Sequence, residues 1–181
     1  MMPIGPLMIE HRLIEKMIKL LDARGRQAAE YGVMDVRFLE SAVDFIRTYA
    51  DRCHHGKEEA ILFRDLTKKD LAPGHQKTMD ELVKEHVWAR QTTGKLVAAM
   101  GRYSTGDAGA VKDAAGLIRE LVQFYPVHIV KEDRGFFVPV MKYFSATEQA
   151  LMLEEFREFD RKLVHEKYGD LVRQLQDMTR S

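Results

Sequence analysis

One six-residue pattern occurs twice in the chain and limits what the chain can become. His54-His55-Gly56-Lys57-Glu58-Glu59 and His128-Ile129-Val130-Lys131-Glu132-Asp133 both read His-x-x-Lys-Glu followed by a second acid. Each is followed by an apolar run, Ala60-Ile61-Leu62-Phe63 in one case and Phe136-Phe137-Val138 in the other. Positions i and i+4 of a helix lie one above the other on the same face. His54 with Glu58, and His128 with Glu132, therefore each offer an imidazole and a carboxylate to one point in space. That is how a helix presents two ligands to a first-row transition metal.

Helical periodicity surrounds both patterns, and no alternating strand-like run appears. Ile4, Leu7, Ile14, Ile18 and Leu21 form a stripe with one non-apolar member, His11. Asp35 is the expected N-cap of a second helix carrying Leu39, Val43, Ile46 and Ala50 toward His54, Glu58 and Leu62. The stretch 67–74 reads as a connection. A third stripe of Met79, Leu82, Ala89, Thr93, Leu96 and Met100 is completed by His86. The segment 103–109 reads as a loop, and Leu117, Leu121 and Phe124 lead to His128 in a fourth helix. Pro126 predicts a kink or local widening one turn before His128. Ser145 with Glu148 forms a capping box that opens a fifth helix, about 147–178, with Leu151, Phe156, Phe159, Leu163, Leu171 and Leu175 apolar. The fold class expected is all-α: an up-down-up-down four-helix bundle over about 4–143, with an additional C-terminal helix, in one domain of 181 residues.

The four helices form two pairs. Glu10-His11 and Glu85-His86 each precede a His-x-x-Lys-Glu element, with His11 to His54 separated by 43 residues and His86 to His128 by 42. A single histidine on an apolar stripe is usually a hydrogen-bonded core residue. Buried glutamates are rarer, because an unpaired carboxylate in an apolar core costs several kcal/mol. Four histidines and two glutamates at matching stations point to one common cause, a metal site in the bundle core. The set exceeds the needs of one tetrahedral zinc. It suits two ions, with Glu58 and Glu132 bridging and two histidines terminal on each; iron is favoured, with manganese or zinc as alternatives.

This order of elements on an all-helical chain resembles the hemerythrin-like (HHE cation-binding) family over about residues 8–143. The resemblance implies a non-haem di-iron centre in a four-helix bundle, with His11, His54, Glu58, His86, His128 and Glu132 at the ligand positions. The chain departs from the oxygen-carrying hemerythrins in two ways. Leu82 stands where those proteins have a further histidine. Asp133 matches their last-helix aspartate, so it is kept beside Glu132 as a minority candidate. Four terminal histidines would leave an open position on each ion, which favours handling of oxygen, peroxide or nitric oxide over simple oxygen carriage.

His55 and Glu59 repeat the His-x-x-x-Glu spacing one residue out of register, about 100° off the stripe in an α-helix. They are assigned to the surroundings of the site or to the surface. Tyr125 is placed to bond a metal-bound ligand or simply to pack. His165 is a candidate for the rim of the site, with a surface role favoured, and His75 is expected to be solvated.

Lys+Arg and Asp+Glu are both 28, and a neutral chain without a basic tail gives no reason to expect nucleic acid or an anionic membrane as partner. Cys53 is the only cysteine, which excludes an internal disulfide and fits a reducing compartment. No leader or spanning segment is evident, and a cytoplasmic location is expected. Three function classes stand. The first is a di-iron module that binds or senses a small diatomic ligand, peroxide or iron. The second is a di-iron redox enzyme with an electron-donor protein as partner: an oxidase, a peroxide or nitric oxide reductase, or a donor in iron–sulfur repair. The third is a metal-free structural bundle.

Overall fold

In the computed structural model, helix α1 (Ile4–Tyr31) stops at Gly32, whose φ of 65° lets its N–H turn back to the carbonyl of Ala28. The structure describes the backbone of residues 2–180, and the side chains of residues 2–163 and of Lys167. Helix α2 occupies 36–66 and is capped by the Asp35 carboxylate, which accepts from the Phe38 N–H at 3.1 Å. It is α-helical over Val36–Phe45 but widens to π-helix over Ile46–His55 and Glu58–Phe63. Helix α3 (Pro73–Ser104) starts on its proline, which sits in the first turn where no N–H is needed. Helix α4 occupies 110–140, being α-helical over Ala110–Val130 and π-helical over Lys131–Phe136. Helix α5 (Ala146–Arg180) begins at the expected capping box, with the Glu148 carboxylate accepting from the Ser145 N–H at 2.8 Å. No strand occurs among the described residues, and none of their helices is long and apolar enough to cross a membrane.

The helices form a bundle in which α4 packs between α1 and α3, α2 closes against the same two, and α5 lies on the widened part of α2. Its interior is layered. One apolar cluster includes Ile14, Leu21, Leu39, Leu96, Leu121 and Ile129. The other includes Leu7, Leu62, Leu82, Phe136, Phe137 and Phe156. Between them lies a buried polar layer of His11, His54, His55, Glu58, His86, His128 and Glu132. Each of α1 to α4 crosses all three layers, as Leu7-His11-Ile14 does in α1 and Leu82-His86-Leu96 in α3, whereas the described side chains of α5 add only to the second apolar cluster.

Three local expectations are corrected. Pro126 stays inside regular α-helix, and α4 widens only from Lys131. The buried stripe of α4 is Ala114, Ile118, Leu121, Tyr125 and His128, leaving Leu117 and Phe124 half-buried at its flanks. In α5 it is Met152 and Phe156 that enter the core, while Leu151 is 66% exposed. Leu171 and Leu175 lie outside the residues whose side chains are described.

Candidate metal centre

The four stripe histidines are oriented alike. Each turns Nδ1 outward to a carboxylate: His11 to Asp133 at 2.7 Å, His54 to Glu10 at 2.9 Å, His86 to Glu59 at 2.7 Å and His128 to Glu85 at 2.8 Å. Each carboxylate is gripped in turn by a cation, Arg12, Lys57, Arg90 and Lys131 respectively. A carboxylate on Nδ1 fixes the proton there and leaves the Nε2 lone pair free on the inner side of the ring.

The four Nε2 atoms converge on Glu58 and Glu132. His11 Nε2 lies 3.1 Å from Glu132 Oε2, and His128 Nε2 lies 3.3 Å from Glu132 Oε1. His54 Nε2 and His86 Nε2 lie 3.4 Å from Glu58 Oε1 and Oε2 respectively. His86 Nε2 is also 3.6 Å from Glu132 Oε1. None of these four nitrogens and four oxygens has a hydrogen-bond partner, although all are buried. With the protons held on Nδ1, acceptor faces acceptor. Buried polar atoms are normally satisfied, so eight unsatisfied ones around one point require a cation or extra protons.

The electrostatics agree. Burial pushes the Glu58 and Glu132 carboxyls well above the usual range, and for Glu132 the Glu58 charge adds to the effect. Burial lowers His54 well below an ordinary imidazole and brings His128 to about 4. Burial alone would raise Glu59 and Glu85, but hydrogen bonds from His86 and Arg90, and from His128 and Lys131, carry both below their usual values. Glu59 and Glu85 are thus held charged, whereas burial raises Glu10 in spite of the Lys57 ammonium beside it. Without a cation, Glu58, Glu132, His54 and His128 favour their neutral forms.

His55 is not at the surface. It is buried and stacks on His86, with ring centroids 3.9 Å apart, and one of its nitrogens lies within 4.8 Å of nitrogens of His86 and His128. An α-helix would have carried it round to another face. The π-helical turn rotates less per residue, so His54 and His55 both point inward. His11, His54, Glu58 and Glu132 form the other group of ligand atoms within the same span.

Asp133, weighed against Glu132, holds His11 from outside, while Glu132 faces the centre. Glu59 does for His86 what Asp133 does for His11. The Tyr125 hydroxyl is buried without a partner and lines a cavity of about 80 Å³ with His55, Asp51, Arg90 and Thr93. His75 is half-buried and bonded to the Tyr143 hydroxyl at 2.8 Å, not freely solvated. The His165 side chain lies outside the described residues. Sequence reasoning missed the roles of Glu10, Glu85, Lys57 and Lys131, although all four belong to the internal repeat.

A model of the family described as the hemerythrin HHE cation-binding domain matches residues 2–140. No curated protein and no solved structure matches the chain.

Proposed function

The chain belongs to the hemerythrin HHE cation-binding family, and from that premise we propose that it holds two iron ions in the polar layer and uses them to bind or sense a small ligand. The reading rests chiefly on the eight buried ligand atoms that face one another without partners. Glu58 and Glu132 would bridge the ions, with His11 and His54 terminal on one and His86 and His128 on the other. Neutral imidazoles with carboxylates suit iron, and manganese or zinc are the alternative occupants. Two divalent ions also offset the two buried carboxylate charges. The up-down-up-down order expected from the short connections would place the repeated elements about a pseudo-twofold axis.

Bound iron would supply reversible one-electron chemistry and a site for oxygen, nitric oxide or peroxide. The chain's own contribution is to hold each imidazole in one tautomer through its outer carboxylate, and to enclose the centre between two apolar layers. His55 is a third imidazole within reach of the His86–His128 position. The position at His11 and His54 then has fewer protein ligands and more room for an exogenous one, in place of one opening on each ion.

The test is elemental analysis of anaerobically purified protein, with optical spectra before and after oxygen or nitric oxide. About two irons per chain, with near-ultraviolet bands appearing on oxidation, is the expected result. Reversal of those bands under vacuum fits binding or sensing, whereas persistence moves the reading to a redox enzyme served by an electron-donor protein. Iron at background, with a melting temperature that chelator does not change, overturns the metal reading.

A further inference from the structure

The two halves of the repeat are alike in sequence but not in surroundings, and α5 makes the difference. Lys57 and Lys131 occupy the same station and grip the same kind of carboxylate, Glu10 and Glu85. Lys131 is 29% exposed and has Glu81 at 3.7 Å as its second acid. The Lys57 side chain is 0% exposed, and its ammonium is closed in between Glu10 and Asp160, with Nζ 2.8 Å from Asp160 Oδ1. The Cys53 thiol donates to the same Asp160 oxygen at 3.2 Å. Glu10, Cys53 and Asp160 together look like a cation site, but the Lys57 ammonium already supplies the positive charge there.

Resting on the two-ion reading, we propose that Asp160 is a positioning residue for the His11–His54 metal position, acting through Lys57 and Glu10 on His54. The line of contact is continuous. Asp160 holds Lys57, Lys57 holds Glu10 Oε1, and Glu10 Oε2 accepts from His54 Nδ1 at 2.9 Å. Glu10 spends one oxygen on each partner, so its orientation depends on where the ammonium sits. A buried ammonium with one carboxylate partner would pull that carboxylate toward itself; a second carboxylate opposite balances the pull. The Asp160 side chain is 45% exposed, but the turn of α5 that carries it is anchored. Phe156, one turn earlier in α5, is buried in the apolar cluster, and Glu155 pairs with both guanidinium nitrogens of Arg64 at 2.6 and 2.8 Å. Among the described residues Lys131 has no partner in α5, and its second acid, Glu81 of α3, stands off at 3.7 Å, so α5 makes the two metal positions inequivalent. The C-terminal helix is then part of the metal centre and not merely a cover.

The experiment is stepwise iron(II) titration of the full chain under anaerobic conditions against a competing chelator, with Mössbauer spectra of the loaded protein. Asp160→Asn is expected to weaken one of the two iron affinities by about tenfold, the lower end of the effect of outer partners on metal sites. One of two Mössbauer components should shift and the other stay. Asp160→Glu should restore both, and Glu81→Gln, the matching change in the other half, should leave both alone. The metal-free melting temperature should move little, and the His54 imidazole N–H resonance of metal-free Asp160→Asn should shift. If that variant does not fold, Asp160→Ser carries the same expectations. Unchanged affinities and unchanged iron signals in a wild-type-like background overturn the proposal alone. Equal losses at both positions, together with a fall in metal-free melting temperature, overturn it as well by showing a merely structural role. Wild-type protein that takes up no iron would instead sink the two-ion reading beneath it.

Discussion

His55 lies parallel to His86, with the two imidazoles 10° from coplanar orientation and their centroids 3.9 Å apart. Consecutive histidines His54 and His55 therefore serve opposite sides of the same centre, a consequence of the wide turn that carries them. His55→Leu keeps the volume roughly constant and removes the nitrogens. If His55 binds iron, the variant retains the His11–His54 position and loses about tenfold or more of its affinity at the other. Competition titration decides it. Two unchanged affinities would return His55 to a packing role.

Glu58 and Glu132 are an expense to the metal-free fold. Each is fully buried with both oxygens unpartnered, so the free protein holds the pair against the cost of burial. Glu58→Met, similar in shape but apolar, is expected to abolish high-affinity iron binding. It should stabilise the metal-free protein by about 1–3 kcal/mol, the cost of leaving a buried polar group unsatisfied. Urea denaturation in chelator measures the second effect, and elemental analysis the first. A metal-free variant less stable than wild type would show that the carboxylates have structural partners of their own.

The pH dependence follows from the same groups. His128 holds its proton only below about 4 in the folded chain, against an ordinary value of 6.5. The unfolded chain takes up that proton first, so stability is lost as pH falls from 6.5 toward 4. Glu58 and Glu132 run the other way. The folded metal-free chain keeps their protons above the ordinary 4.5, so its stability declines as pH rises beyond that value. Iron requires those carboxylates deprotonated, and each proton it displaces weakens binding at low pH. The rise in melting temperature on adding iron(II) should therefore grow from about pH 6 to about pH 8. A constant or shrinking rise would show that no buried proton is displaced.

How far the sequence led depended on whether a residue obeyed the ordinary helical period. His11, His54, Glu58, His86, His128 and Glu132 did, and the structure brings all six into one buried layer. His55 did not, because the period itself changes at Ile46. Glu10 and Glu85 were visible as partners of the repeat, but their roles depend on which nitrogen of the histidine points outward, and no spacing records that. Asp160 carries no motif at all: it meets Lys57 across 103 residues, and only the packing of α5 places it there. The Pro126 expectation failed for a related reason. A proline marks where a helix can lose a hydrogen bond, yet the widening in α4 lies beyond it, and α2 widens with no proline at all.

Gly25 of α1 packs against Ile118 of α4, and two helical effects compete there. A Cβ built on Gly25 would lie 2.4 Å from Cγ2 of Ile118 and 3.2 Å from its Cβ. Replacing a helical glycine by alanine ordinarily gains about 1 kcal/mol in helix propensity. Here the new methyl meets a buried β-branched side chain, which is held to essentially one rotamer in a helix and cannot swing aside. Overpacking of that kind costs about 1–3 kcal/mol, and the lack of any soft neighbour puts this site at the upper end. Gly25→Ala should therefore destabilise the protein by about 1–2 kcal/mol net. Ile118→Ala carries its own cavity cost of about 2–5 kcal/mol, but in that background the cost of Gly25→Ala should shrink or reverse, because the colliding methyl is gone. The contact lies in the apolar layer away from the histidines, so iron content per folded chain should not change. Urea denaturation of the single and double variants gives the coupling, and a Gly25→Ala protein as stable as wild type would show that α1 and α4 can part at this point without cost.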